Sequence, residues 1–126
     1  MNFIGVVAAL TAFFSIWLGH VAVRKIEFIS PTIWFPSTVF AASGLTLEIF
    51  SLFSIDHSLA TVFGIIGITL LWDAFELTRQ QKRIIKGHAP ANPNNPRHKK
   101  ILTEHSSATT LDMLKREPIG HPIHSK

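Results

Sequence analysis

The chain has 126 residues, with 12 Lys and Arg against 8 Asp and Glu, and it contains no Cys. Hydrophobic residues make up 47% of it and are concentrated before residue 78. A soluble domain would spread its charges more evenly, so the composition indicates one small membrane unit. The lack of Cys excludes disulfides, thiolate metal sites and iron–sulfur clusters.

Three apolar stretches, at about 2–23, 32–54 and 58–77, are predicted to be transmembrane helices, since ~20 helical residues cross the ~30 Å hydrocarbon core. The third stretch has an acid at Asp73, so it can span only if Asp73 and Glu76 lie at the membrane surface. A cleaved signal peptide is the alternative for the first stretch. The uncharged Met1-Asn2 start and the length of the apolar run favour a span.

All 12 Lys and Arg can be placed on one side of a membrane. Arg24 and Lys25 follow the first stretch, none lies between the second and third, and the other ten run from Arg79 to Lys126. The positive-inside rule therefore predicts an external N-terminus and a cytoplasmic C-terminus.

The predicted fold is an all-α membrane protein with two parts. Residues 1–87 form a three-span domain, whose third helix continues as a cytoplasmic amphipathic extension and stops at Gly87. Residues 88–126 are basic and rich in Pro, with Pro90, Pro93 and Pro96 typical of an extended linker. This segment is predicted to be a flexible tail, largely disordered or ordered by a partner.

Four charged or polar side chains are predicted to meet near the inner membrane surface. His20 and Arg24 are one turn apart on the first helix, while Asp73 and Glu76 share a face of the third. Their charges are complementary, which favours a clamp between the two helices.

Glu48 is the one acid deep in a predicted span. A carboxylate there is expensive, so it is either a polar contact between helices or a proton or ion site. No polar path continues from it toward the cytoplasmic side, which favours the structural interpretation.

The basic residues after the third span are candidates for contact with anionic lipid headgroups, each contributing ~1 kcal/mol near the surface. They are Arg79, Lys82, Arg83, Lys86, Arg97, Lys99 and Lys100. Because these basic residues flank membrane spans, the predicted partner is lipid rather than nucleic acid. The same residues also serve equally well as topology determinants alone.

No metal, haem or other cofactor is expected. His20 and His57 lie near opposite membrane faces, and His121 and His124 are separated by a proline. No catalytic triad, phosphate loop or carboxylate pair stands out, so an enzyme is not expected.

A set of short motifs runs through about residues 1–97. They are Asn2-Phe3-x-Gly5, Gly19-His20, Arg24-Lys25-x-Glu27, Trp34, Trp72-x3-Glu76-Leu77, Arg83, Lys86-Gly87, Pro90 and Asn92-Pro93. By these motifs the chain resembles a family of small bacterial integral membrane proteins of unknown function. It departs from the family at Val21, where a proline is usual, and in the ~29 residues added at the C-terminus. The resemblance implies a bacterial cytoplasmic membrane protein with three spans, and it makes His20, Glu27 and Glu76 motif positions.

These features favour an accessory or structural subunit, either in a larger membrane complex or as a homo-oligomer. Three short helices bury little surface among themselves, so their small-residue and Phe-rich faces suit other helices. The alternative is a small oligomeric transporter or proton or ion conduit that uses Glu48.

Overall fold

The computed structural model describes residues 1–115, which contain four α-helices, one 3₁₀ turn and no β-strand. The first three helices are long and apolar enough to cross a membrane, which confirms the all-α fold with three candidate spans. The elements are α1 (Ile4–Ile29), α2 (Trp34–Phe53), α3 (His57–Ile85), α4 (Pro96–Glu104) and a 3₁₀ turn at Met113–Lys115.

Helix α3 is central and packs against both α1 and α2. It runs parallel to α1, with Ser15 Oγ lying 3.4 Å from Thr69 Oγ1, and antiparallel to α2. One end of the molecule, the basic end, therefore holds the C-terminal ends of α1 and α3. The other, the far end, holds the α2–α3 connection at residues 54–56.

Both α1 and α3 are longer than a bilayer core requires. Their 26 and 29 residues correspond to about 39 and 44 Å of helix, against ~30 Å of hydrocarbon. Helix α3 continues through Ile85, as the sequence predicts, and the chain turns at Gly87 with φ of +75°. That left-handed conformation favours glycine, and a Cβ there would also clash with the Ser107 carbonyl oxygen.

Glycines bring α2 and α3 into backbone contact. A Cβ on Gly44 would lie 2.8 Å from the Gly67 carbonyl oxygen, which is too close for any side chain. Nearer the far end, Ser51 Oγ donates to the Ala60 carbonyl oxygen at 2.7 Å, beside Gly64. Because apolar helices in lipid associate mainly by close packing, these small residues hold the pair together.

The segment after Gly87 differs from the flexible tail predicted from the sequence. Ile84, Ala89, Ala91 and Ile101 bury one another in a small apolar core at the basic end. This core, together with the polar contacts below, orders residues 88–112 against the protein's own helices. Residues 116–126 of the predicted tail, including His121 and His124, lie outside the described residues.

A lateral groove opens between α1 and α2, with α3 as its floor. It has a volume of about 410 Å³ and an almost entirely apolar lining, apart from Thr11, Ser15, Thr69 and Asp73. The other residues of the groove are Phe14, Leu18, Gly19, Ala22, Phe40, Val62, Ile66 and Leu70.

Candidate functional site

The C-terminal end of α1 is held by polar side chains of the segment that follows α3. The last carbonyl groups of a helix have no partners within it and need donors from elsewhere. Asn92 Nδ2 donates to the Phe28 carbonyl at 3.1 Å, and Asn95 Nδ2 donates to the carbonyls of Phe28 at 3.1 Å and Ser30 at 2.9 Å. Asn92, Asn95, Arg97 and His98, together with residues 27–30 at the end of α1 that they contact, are called the clasp below.

A buried ion pair lies at the centre of the clasp. Arg97 Nη1 donates to Glu27 Oε1 at 2.8 Å, and Arg97 Nη2 donates to the Glu27 carbonyl oxygen at 2.6 Å. The Glu27 side chain is 1% exposed and that of Arg97 is 14% exposed. The cation also faces the negative end of the α1 dipole, which adds to its attraction.

His98 completes the set in a defined tautomer. Its side chain is fully buried, and its Nδ1 accepts the Asn92 amide proton at 2.8 Å. An Nδ1 that accepts cannot carry a proton, so the ring proton is on Nε2. Nε2 lies 3.1 Å from Glu27 Oε1 and donates to it, so that oxygen receives both the Arg97 and the His98 proton.

The residues Asn95-Pro96 explain why a helix starts here. Asn95 is the N-cap of α4, with Oδ1 accepting from the Arg97 amide at 3.0 Å, and Pro96 is the first helical residue. An Asn-Pro pair is a recognised helix start, and interpreting Pro96 only as part of a linker missed it. Asn92, Asn95 and His98 were not predicted as site residues, and Glu27 was named only as a motif position.

The side chains at the centre of the clasp are buried. Two of its atoms, Glu27 Oε2 and Arg97 Nε, are buried without a hydrogen-bond partner among the described residues. Within residues 1–115, no three His, Cys, Asp or Glu side chains gather as a metal site would require. Its hydrogen bonds join the C-terminal end of α1 to the segment that follows α3.

The four residues of the predicted clamp lie where α1 and α3 face each other, and among the described residues no ion pair joins the two helices through them. Glu76 pairs with Arg79 and Arg83, each at 3.6 Å. His20 and Arg24 line the same cleft as Glu76, a space of about 400 Å³ here called the clamp cleft.

The fourth clamp residue, Asp73, lies one turn before Glu76 on α3 and interacts electrostatically with His20 and Glu76. It is buried, lines the lateral groove and sits against Gly19. A Cβ at position 19 would overlap the Asp73 carboxylate. The absence of a side chain at Gly19 therefore makes room for this acid beside α1.

Glu48 lies at the α2–α3 contact. Its side chain is half-buried, and a Cβ on Gly67 would be 2.8 Å from Glu48 Oε1. The carboxyl thus fills the space left by a missing side chain on the neighbouring helix. This placement gives it a packing role whatever else it does.

The predicted lipid-contact residues divide into two groups. Arg97 is engaged by the clasp and turned inward, because Glu27 and the α1 carbonyls offer it a better set of partners than water or lipid. The others are exposed at the basic end: Arg79, Lys82, Arg83, Lys86, Lys99 and Lys100. Lys100 also has a loose surface pair with Glu104 at 3.8 Å.

Comparison with known proteins identifies a family but no function. The model of a family described as a domain of unknown function (DUF4491) matches residues 2–95. No curated protein and no solved structure matches the chain. The matched region includes Glu27, Asn92 and Asn95, while Arg97 and His98 follow directly after it.

Proposed function

This chain belongs to the DUF4491 family, and we propose that it is a small structural or accessory subunit of a membrane assembly. Its partner is another membrane protein or a second copy of the chain, seated in the lateral groove. In this proposal the protein lies in a bacterial cytoplasmic membrane with its N-terminus outside and the basic end in the cytoplasm. It is a binding protein in this proposal, not an enzyme.

The groove is the observation that carries the proposal. In each candidate span only 11% of the residues in the most apolar window are buried, and many large apolar side chains of α1 and α2 are more than half exposed, so much of the intramembrane surface is left for lipid or another protein. Lipid chains can cover most of that surface. They offer no hydrogen-bond donor to the Asp73 carboxylate, which another helix can supply, whereas Ser15 and Thr69 already donate to carbonyl oxygens of their own helices.

Neighbouring phenylalanines on α1 provide a matched test. Phe14 lines the groove, while Phe13 lies at the same depth outside it and is 66% exposed. A photoreactive phenylalanine analogue at position 14 is expected to give a discrete protein adduct in native membranes, identified by mass spectrometry. The same analogue at position 13 should give mainly lipid adducts. Equal protein cross-linking at both positions, or none at either, would contradict a specific partner in the groove.

A second candidate function is conduction through Glu48, because a half-buried carboxyl within a span is a functional hypothesis by default. This alternative predicts proton or cation flux through purified protein in liposomes and its loss in Glu48→Gln. The subunit proposal predicts no flux in either protein, with weaker association of α2 and α3 after Glu48→Leu. Flux through the wild-type protein that is lost in Glu48→Gln would support the conduit and contradict the subunit proposal.

A further inference from the structure

A cleft of about 890 Å³ lies beside the clasp at the basic end, between the ends of α1 and α3 and the segment that follows them. Arg24 and Lys25 enter it from α1, Arg83 from α3 and Lys115 from the 3₁₀ turn. We call it the basic cleft. Nothing in the clasp or the lateral groove accounts for four converging cations from three separate elements.

The acids in the basic cleft do not cancel these cations. Glu27 and Asp112 are the two acidic side chains that line it among the described residues. Glu27 Oε1 is already bonded to Arg97 and His98. Arg83 pairs with Glu76 only at 3.6 Å and is 49% exposed, so its guanidinium retains donors for a ligand. The excess of cationic over acidic side chains in the basic cleft favours an anionic ligand.

The cleft continues toward the spans through the clamp cleft. Val21, Arg24, Gln80 and Arg83 line both the basic cleft and the clamp cleft, so the two adjoin. The clamp cleft extends to Trp17, an amphipathic ring of the kind found where hydrocarbon meets headgroups. His20 and Glu76 also line the clamp cleft, and the exposed side chains of Val21 and Trp17, one turn apart on α1, form its apolar strip. Cations at one end and this strip at the other match a molecule with an anionic head and a hydrocarbon chain.

We propose that the basic cleft binds the phosphate headgroup of an anionic phospholipid, with the acyl chain running past Val21 and Trp17. The phosphate accepts hydrogen bonds from Arg24 and Arg83, whose planar donor groups suit phosphate oxygens. Lys25 and Lys115 add charge around it. This site is independent of the partner in the lateral groove, and it differs from a diffuse basic surface because it is formed by particular residues.

Trp17 supplies the readout. The chain has three tryptophans, so Trp34→Phe and Trp72→Phe leave Trp17 as the single fluorophore. This protein is reconstituted into phosphatidylcholine vesicles containing phosphatidylglycerol, with brominated chains on either the anionic or the zwitterionic lipid. We expect stronger quenching of Trp17 when the anionic lipid carries the bromine.

The charge variants make the test specific. Arg24→Gln with Arg83→Gln should reduce the preference for the anionic lipid about tenfold or more, since each cation near an anionic surface contributes roughly a fivefold effect. Lys99→Gln with Lys100→Gln removes the same charge from the exposed face of α4 and should leave the preference unchanged. Arg24→Lys with Arg83→Lys preserves the charge and should keep much of the preference.

Three results would overturn the proposal. One is equal quenching by both brominated lipids in the otherwise unchanged protein. Another is equal loss of preference in the two glutamine pairs, which would show a general surface attraction. The third is loss of the preference on adding inorganic phosphate but not sodium chloride of equal ionic strength, which would identify a soluble phosphate as the occupant.

Discussion

Glu27 shows how a single carboxylate near a helix end can organise the surrounding chain. Its Oε1 receives protons from Arg97 and His98, while its own carbonyl oxygen receives a further proton from Arg97. These contacts span about 70 residues of sequence, so they convert two distant segments into one unit. Each of them satisfies a group that burial would otherwise make costly.

The clasp predicts that Glu27→Gln is strongly destabilising. Glutamine preserves the size of the side chain but leaves the mostly buried Arg97 without its counter-charge, which costs about 3–5 kcal/mol for a buried pair. Hydrogen exchange in detergent should rise across residues 88–104 more than in the spans.

Glu104→Gln is the matched control, because it breaks an exposed pair with Lys100 and should cost about 0–1 kcal/mol. Similar small effects from both substitutions would show that Glu27 is not the centre of the clasp.

Little of this residue-level arrangement could be predicted from the sequence. The motif containing Glu27 was visible, but its partners Arg97 and His98 lie in a stretch whose prolines are typical of a linker. Local pattern does not reveal which distant helix end a polar segment will contact. The Asn95-Pro96 pair carried the one local signal, since it marks the start of a helix.

At the scale of elements, the spans were predictable because the membrane acts as a uniform apolar solvent. Helix length and hydropathy then dictate where each span lies, and the long α3 extension follows from its amphipathic pattern. Which residues of the three helices pack against each other was harder to predict from the sequence. Small residues occur in all three spans, but only the structure shows Gly44 against Gly67 and Gly19 against Asp73.

The α2–α3 contact predicts different effects for two glycine substitutions. Gly44→Ala would place a Cβ 2.8 Å from the Gly67 carbonyl oxygen and 2.9 Å from Leu71 Cγ, which forces the helices apart. We expect a loss of about 1–3 kcal/mol, as for other overpacked contacts, measured by unfolding in mixed micelles of increasing SDS content.

Gly5→Ala is the control for this contact, because its Cβ would have nothing within 4 Å. It should be neutral or stabilise α1 by up to about 1 kcal/mol through helix propensity. A Gly44→Ala protein as stable as Gly5→Ala would remove the argument for close backbone packing.

On the scale of the whole molecule, charge and apolar surface are cleanly separated. The Lys and Arg residues of the described chain all lie at the basic end, while the α2–α3 connection at the far end has none. Such a distribution fits one orientation, in which the Lys and Arg residues face the inner leaflet with its anionic lipids.

Reporter fusions test that orientation. A reporter after Lys126 is expected to be cytoplasmic, and one inserted within residues 55–58 is expected to be external. A charge change in the first loop is the control. Arg24→Glu with Lys25→Glu removes positive charge there and should give a mixture of the two orientations without moving the spans. Both reporters on one side would contradict the three-span topology.

The proposed role in a membrane assembly is tested by native mass spectrometry of material released from its own membrane in mild detergent. We expect a discrete complex heavier than the 14.0 kDa chain, containing a further copy or another membrane protein. A single 14.0 kDa species that carries lipid and no protein partner would contradict it.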